Sequence, residues 1–206
     1  MMAGLEMKTP RELLPEFYRQ YDLGEDGGAQ IPYVRIKFTN KISLYIPNIE
    51  ARRRAVFKHD IHHIVTGYTS TFKGETEIAA WEIGSGCLNY WIAFVLNLSG
   101  MMTGIFFNAP RVYKAFVKGR RTKNLYDNSI KDEQVMDMTI QQIRHHLGLD
   151  LYKETGGHAA DLLIFILLFG IGLIYSVLSI FLFPLILIYS LYVAIKYRKL
   201  PAANHL

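Results

Sequence analysis

Cysteine and charge are both scarce in this sequence of 206 residues. A single cysteine, Cys87, excludes a disulfide framework and a cysteine-ligated zinc finger. Charged residues make up 20% of the chain and apolar residues 50%, a balance that excludes an intrinsically disordered protein. Lysine and arginine outnumber aspartate and glutamate by 23 to 18, and this modest excess suits a membrane surface or an anionic substrate better than nucleic acid.

Residues 1–17 lack an apolar core and carry Glu6, Glu12 and Glu16. They therefore resemble neither a secretory signal nor an arginine-rich, acid-poor transit peptide. We expect the soluble part of the protein to stay in the compartment where it is made.

Residues 162–195 contain no charged side chain, and an apolar run of 34 residues predicts a membrane-embedded segment. As one straight helix it would be about 51 Å long, against a hydrocarbon core of roughly 30 Å. One strongly tilted span and two short arms bent around Ser176–Pro184 are both open. Because Lys196, Arg198 and Lys199 follow, the positive-inside rule places this end in the cytoplasm. With the body also facing the cytoplasm, at a cell inner membrane, a hairpin is favoured.

A second apolar stretch covers residues 87–107, where Asn89, Asn97 and Ser99 interrupt it. Polar side chains at intervals are tolerated better beside protein than beside lipid. We therefore expect a buried helix or one wall of a lipid pocket, in preference to a second membrane span.

The rest of the sequence predicts a mostly α protein: a helical body with a small N-terminal β-hairpin and a C-terminal membrane-embedded helix or helical hairpin. The hairpin is predicted from alternating residues at 33–38 and 42–46 around Thr39-Asn40-Lys41. We divide the chain into an N-terminal helix and hairpin, a helical metal-binding domain and a membrane segment, at 1–49, 50–155 and 160–199. Helices are predicted at 10–21, 50–68, 74–107, 109–120 and 134–147.

The residue pattern between 59 and 82 is typical of a metal site. His59 and His63 are four residues apart, so on a helix they share a face and can bind one metal ion. Asp60 is a candidate third ligand or an orienting residue. A second helix that begins near Gly74 would turn Glu75 towards the pair, with Glu82 following one to two turns later. Imidazole and carboxylate together suit Zn²⁺, Mn²⁺ or Fe²⁺.

The order His59-Asp60-x-x-His63, followed after eleven residues by Glu75, resembles the H-D-x-x-H-x11-E signature of ubiquinone (coenzyme Q) biosynthesis proteins of the Coq-four type. Neighbouring segments extend the likeness over roughly residues 50–150. They include Lys73-Gly74-Glu75, Gly119-Arg120-Arg121-x-x-Asn124-Leu125 and Gln142-Ile143-Arg144-x-x-Leu147-Gly148.

This resemblance implies an all-α body that binds a divalent metal, usually zinc, through His59, Asp60, His63 and Glu75. It implies a prenylated quinone precursor as substrate, oxidative decarboxylation at ring carbon 1, and a scaffold role among other quinone-biosynthesis enzymes at the membrane. We assign proton transfer to Glu82 or His62, and binding of an anionic head group to Arg120 and Arg121. Whether the chain forms a homo-oligomer is left open, and no nucleic acid partner is expected.

Two alternatives stay open. The same ligands and groove would serve a non-catalytic metal- and lipid-binding scaffold. The motifs H-x-x-H-H at residues 59–63 and Q-x-x-H-H at residues 142–146 also fit histidine boxes of membrane-bound di-iron hydroxylases and desaturases. Such sites need about eight histidines, and this chain has seven.

Overall fold

The computed structural model describes residues 6–28, 30–37, 43–154 and 156–196. The elements are, in chain order, α1 (Pro10–Gln20), β1 (Tyr33–Lys37), β2 (Ser43–Pro47), α2 (Glu50–Thr66), α3 (Phe72–Ser85), α4 (Trp91–Gly119), a 3-10 turn (Leu125–Asp127), α5 (Asp132–Asp137), α6 (Ile140–His146) and α7 (Ala159–Lys196). The predicted mostly α fold is confirmed, with its N-terminal hairpin and its long C-terminal apolar helix.

Strands β1 and β2 pair antiparallel, with Tyr33 opposite Pro47, so the predicted hairpin is confirmed. Its predicted turn at residues 39–41 lies outside the described residues. Ahead of the hairpin, α1 begins with the capping box formed by Thr9 and Glu12, in which Glu12 accepts a hydrogen bond from the Thr9 main-chain N–H at 2.7 Å.

Glycines with positive φ end the two helices that carry the candidate metal ligands. Gly67 follows α2 at φ 78°, and Gly86 follows α3 at φ 95°. These angles strain residues that have a Cβ atom, so each glycine is a favourable place for a helix to stop. The predicted single helix over 74–107 was therefore wrong, because Gly86 ends it and a new helix begins at Trp91.

Helix α4 folds back on itself at Asn108, where the main chain leaves helical geometry (φ −157°, ψ 66°) just before Pro110. A Cβ atom placed on Gly104 would lie 2.7 Å from the Val112 side chain, a contact that a straight helix does not allow. The two halves of α4 therefore lie side by side against α3. Close contact depends on Gly84, where a Cβ atom would lie 2.4 Å from a main-chain oxygen of the second half.

The predicted helix over 134–147 is divided into α5 and α6. Met138 is extended, and Thr139 caps α6 by accepting a hydrogen bond from the main-chain N–H of Gln142 at 3.2 Å. The Thr139 main-chain N–H in turn donates a hydrogen bond to the side-chain oxygen of Gln142 at 2.8 Å. A strong local capping box thus outweighs helix continuity at this point.

The apolar run of residues 162–195 forms part of the single helix α7, so the hairpin alternative was wrong. A run surrounded by lipid must satisfy its own main-chain hydrogen bonds, and a helix does this even where Pro184 removes one of them. By length and composition alone, α4 and α7 are both long and apolar enough to cross a membrane, but α4 reverses at Asn108 and α7 does not. Most of the large side chains on α7 are exposed, for example Phe181 at 75%.

Candidate metal centre

Helix α2 brings two imidazoles together at its C-terminal end. His59 and His63 are one turn apart, and their Nε2 atoms lie 3.1 Å from each other. The His63 side chain is buried and that of His59 is 20% exposed, so the pair stands at the edge of the core with one side accessible. The predicted i, i+4 arrangement is confirmed.

Glu75 closes the site from the first turn of α3. Its Oε2 lies 3.2 Å from Nε2 of His59, and its Oε1 lies 3.2 Å from Nε2 of His63. The Ser70 hydroxyl donates a hydrogen bond to Oε1 at 2.6 Å and fixes the carboxylate. Gly74 makes this approach possible, because a Cβ atom there would lie 1.9 Å from the main-chain oxygen of Thr69.

The far sides of both imidazoles are held by acceptors. Nδ1 of His63 lies 2.9 Å from the Tyr68 carbonyl oxygen, and Nδ1 of His59 lies 2.9 Å from Oε1 of Glu82. A carbonyl or carboxylate oxygen can only accept a hydrogen bond, so each Nδ1 carries the proton. When the rings are neutral, each Nε2 therefore carries a lone pair, and the two lone pairs are directed at the same point. A cation at that point would be bound by both.

The donor set fits a divalent metal. One ligand atom each from His59, His63 and Glu75 lies within 4.8 Å of the others, and the closest pairs are 3.1–3.2 Å apart. Tetrahedral ligands about 2.0–2.1 Å from zinc are separated by roughly 3.3 Å, close to these distances. Three protein ligands leave a fourth position for water or substrate, as in catalytic sites.

The electrostatics of the pocket agree with this donor set. Burial by itself would lower the pKa of His59, but Glu82 and Glu75 raise it well above its usual value. Burial would raise the pKa of Glu75, but its bonds to His59 and His63 hold it well below its usual range. The acidic side chains therefore stay ionised, and positive charge is favoured between them and the imidazoles.

Asp60 lies beside this group but is not one of its three members within the described chain. Its carboxyl group is buried, contacts the hydroxyl of Tyr18 on α1, and has its pKa raised to about 6, chiefly by burial. As it stands, Asp60 braces α1 against α2 and lines the cavity that leads to the imidazoles.

Glu82 and His62 form a buried network behind the site. Nδ1 of His62 lies 2.6 Å from Oε1 of Glu82, and Nε2 of His62 accepts the main-chain N–H of Leu125 at 2.9 Å. The second carboxylate oxygen of Glu82 accepts bonds from Asn97 and, at 3.1 Å, from the Tyr126 hydroxyl. Both predicted proton-transfer residues thus have their polar atoms occupied, and neither lines the cavity.

This network also shows what sequence reasoning missed. Ser70, Asn97 and Tyr126 were not predicted as site residues, and the Tyr68 carbonyl was not considered. The sequence contains one indication of Asn97, because this polar residue interrupts a long uncharged run. In the structure its side chain is buried. The contacts of Tyr126 depend on a chain reversal far from the motif and left no local signal.

A cavity of about 540 Å³ leads to the metal centre, within the usual range for small-molecule sites. Its polar end holds His59, Asp60 and Glu75. Its other walls come from the hairpin, α2 and the first half of α4, with side chains that include Leu23, Val34, Ile46, Val56, Ala93 and Leu96. The expectation that residues 87–107 form a wall of a pocket is confirmed.

Arg120 and Arg121 are occupied elsewhere. Both contact Asp161 in the first turn of α7, Arg120 at 3.4 Å and Arg121 at 2.9 Å. Neither lines the cavity at the metal centre, so the structure does not bring them to the predicted head group. They fasten the start of α7 to the end of α4.

The second histidine pair does not join the first. His145 contacts Asp150 at 2.8 Å, and His146 contacts the Ser129 hydroxyl at 2.9 Å. Within the described residues, the di-iron arrangement is therefore not assembled around His59 and His63.

Comparisons of this chain with protein-family models, curated proteins and solved structures find no match. The likeness to the ubiquinone biosynthesis family therefore stays a prediction from motifs. What the structure establishes is a helical protein with two long apolar helices and a His/Glu triad able to hold a metal ion.

Proposed function

We propose that this chain is a membrane-associated, metal-dependent enzyme of prenylated quinone biosynthesis. Its reaction would be oxidative decarboxylation at ring carbon 1 of a polyprenyl hydroxybenzoate. The bond between ring carbon 1 and the carboxylate would break, carbon dioxide would leave and water would supply the new hydroxyl group. Dioxygen, as the co-substrate, would accept the two electrons and two protons as hydrogen peroxide. The observation that supports this most is the convergence of His59, His63 and Glu75 at the polar end of an otherwise largely apolar cavity. A bound divalent metal, with zinc favoured, would act as a Lewis acid on the substrate carboxylate or phenolate.

The protein groups hold and orient that centre. His59, His63 and Glu75 provide the ligand atoms, while Glu82 and the Tyr68 carbonyl fix the two imidazole rings from behind. We assign Glu82 and His62 a positioning role in place of direct proton transfer, because both are fully buried and fully hydrogen-bonded. Asp60 lines the cavity beside the centre, and its carboxyl group contacts the Tyr18 hydroxyl.

The apolar walls suit the prenyl chain. The cavity includes Ser99, whose hydroxyl lies 3.3 Å from that of Tyr175 on α7. A lipid tail that leaves the cavity on this side would pass directly onto the apolar surface of α7. The bilayer can therefore supply the substrate, since the tail need not cross water.

We also propose that α7 lies along the surface of the cell inner membrane, with the body on the cytoplasmic side. Asp161 at one end contacts Arg121, and the Ser190 hydroxyl near the other end accepts the main-chain N–H of Tyr45 in β2 at 2.9 Å. These contacts are about 44 Å apart along the helix. A helix crossing the bilayer upright would pull one of the two contacting parts of the body through it.

Cysteine labelling tests this orientation. In otherwise unchanged protein, Ala159→Cys and Ala194→Cys place thiols at exposed positions near the two ends of α7. We expect a membrane-impermeant maleimide to label both variants in inside-out vesicles and neither in right-side-out vesicles. Wild type is the control, because Cys87 is buried. Labelling of the two positions from opposite sides would instead establish a membrane span.

Lipid analysis tests the reaction. A strain that lacks the protein should accumulate a carboxylated prenylphenol, and wild type should remove it. Glu75→Ala should fail to do so, because the triad loses its only carboxylate, whereas Glu133→Ala on the exposed surface of α5 should restore the wild-type pattern. Normal quinone content without the intermediate would contradict the proposal.

The non-catalytic scaffold is the second candidate, since it needs the same ligands and the same cavity. Purified protein distinguishes the two. Carbon dioxide release from a prenylated hydroxybenzoate is expected of the enzyme, and its absence with intact metal content would favour the scaffold.

A further inference from the structure

We propose that a second cavity, on the opposite face of α3 from the metal centre, binds a phosphate group. The cavity has a volume of about 660 Å³ and is lined by the second half of α4, by Tyr68 and by the segment that leads to α7. Glu77 lines this cavity, whereas Glu75 and Ala79 line the one at the metal centre. The two cavities are therefore separate sites, and this inference does not depend on the proposed reaction.

Three cations of one helical face point to an anionic ligand. Arg111, Lys114 and Lys118 follow one another at helical spacing along the second half of α4, and all three line the cavity. Two carboxylates share it: Glu77 pairs with Arg111, and Glu154 pairs with Lys114 at 2.6 Å. One positive charge, that of Lys118, is left over.

Lys118 has no carboxylate within ion-pair distance in the described part of the chain. Its Nζ atom lies 5.0 Å from the centre of the Tyr68 ring, and its charge is repelled by that of Arg144. Burial and this repulsion lower the pKa of Lys118 to about 8. A half-buried ammonium group without an anionic partner is stabilised by any anion that enters the cavity.

Phosphate matches the donors on the walls. Arg111 contacts Glu77 through Nε, so the other N–H groups of its guanidinium can donate to phosphate oxygens. The Lys118 ammonium group supplies a point charge. The aromatic rings of Tyr68 and Tyr152 complete the lining, and their hydroxyl groups are hydrogen-bond donors. An uncharged or cationic ligand would leave the charge of Lys118 uncompensated.

The phosphate can be free or part of a lipid head group. The cavity is formed by the same half-helix that contacts the start of α7, where the Tyr113 and Phe165 rings are 5.2 Å apart. Asp161 marks the last charge before the uncharged run, so the cavity lies near the end of α7 where lipid head groups are expected.

Binding of inorganic phosphate and of phosphatidylglycerol tests the site. The full chain is solubilised in a maltoside detergent, which contains no phosphate, and inorganic phosphate is titrated by calorimetry. A second arm adds phosphatidylglycerol to the detergent micelles. We expect saturable phosphate binding that Lys118→Met weakens about tenfold, the loss of one charge-assisted bond. Lys123→Gln, at an exposed position outside the cavity, should bind as wild type does.

The two arms separate the sources of the phosphate. Competition by phosphatidylglycerol would assign a lipid head group, and its absence would assign a free anion. Lys114→Gln is the second variant, and circular dichroism confirms that each variant is folded. The proposal is overturned if folded wild type binds neither probe, or if folded Lys118→Met and Lys114→Gln both bind as wild type does.

Discussion

Replacing His63 with alanine should abolish stoichiometric metal binding by the purified protein. The imidazole supplies one of three ligand atoms, and His59 and Glu75 each supply one of the other two, so neither can take its place. We expect an affinity loss of more than ~100-fold, beyond the usual effect of removing a group that only supports a ligand. Elemental analysis of wild type and variant after gel filtration measures it.

A matched histidine and a second ligand variant make this measurement decisive. His145→Ala removes an imidazole that is 72% exposed and outside the triad, so it should keep one metal ion per chain. Glu75→Gln preserves the size of the side chain but removes the negative charge between the two imidazoles, so it should lose the metal as His63→Ala does. Equal metal content in all four proteins would rule out the site.

The metal centre was largely predictable because its parts are local. Two histidines four residues apart on one helix share a face whatever surrounds the helix. The break between α2 and α3 was also readable, since Gly67 ends the first helix and Thr71 caps the second. With both helix ends fixed by nearby residues, the approach of Glu75 to His59 and His63 follows within a few residues of chain.

The supporting parts were less predictable because they depend on distant contacts. The turn between α3 and α4 places Asn97 beside Glu82, and the reversal at Asn108 brings the second half of α4 back against α3. The predicted helices at 74–107 and 109–120 place a break at residue 108, as the structure does, but periodicity does not show that the chain reverses its direction there. The form of α7 was also hard to predict, because its uncharged sequence is compatible with a hairpin. In the structure it is a single helix, and residues near both of its ends contact the body.

The assignment of Asp60 illustrates the limit of spacing alone. A residue next to His59 is turned by about 100° around the helix, so it cannot occupy the same face as the i, i+4 pair. The structure shows the consequence, since the Asp60 carboxyl contacts Tyr18 on α1. The motif resemblance predicts Asp60 as a metal ligand, but its position on the helix determines which side chains it contacts.

Glu82 is the residue on which the support of the metal centre depends most. It is fully buried and accepts hydrogen bonds from two imidazoles, an amide and a phenol. Burial alone would raise the pKa of Glu82, but the charges and hydrogen bonds of His59 and His62 hold it well below its usual range. The carboxylate is therefore ionised, and its negative charge and lone pairs satisfy the buried hydrogen-bond donors around it.

Replacing Glu82 with alanine should destabilise the whole body as well as the metal centre. The change removes the acceptor from three donors, those of His59, His62 and Asn97, whereas the Tyr126 hydroxyl keeps a contact with the Ala55 carbonyl oxygen at 3.3 Å. Breaking a buried charged network of this kind typically costs about 3–5 kcal/mol. We expect the free energy of unfolding to fall by this amount, with the unfolding temperature lower by roughly 10 °C. Tryptophan fluorescence measures it, because the buried Trp81 ring is 5.1 Å from that of His62.

Glu82→Gln separates support of the metal from support of the fold. The amide has the size of the carboxylate and keeps one acceptor oxygen, so the loss of stability should be smaller than in Glu82→Ala. The charge behind His59 is absent, and metal affinity should still fall by about 10–100-fold. Glu133→Gln on the surface is the control and should leave both quantities unchanged. Wild-type metal affinity and unfolding temperature in both Glu82 variants would mean that the network does not support the metal centre.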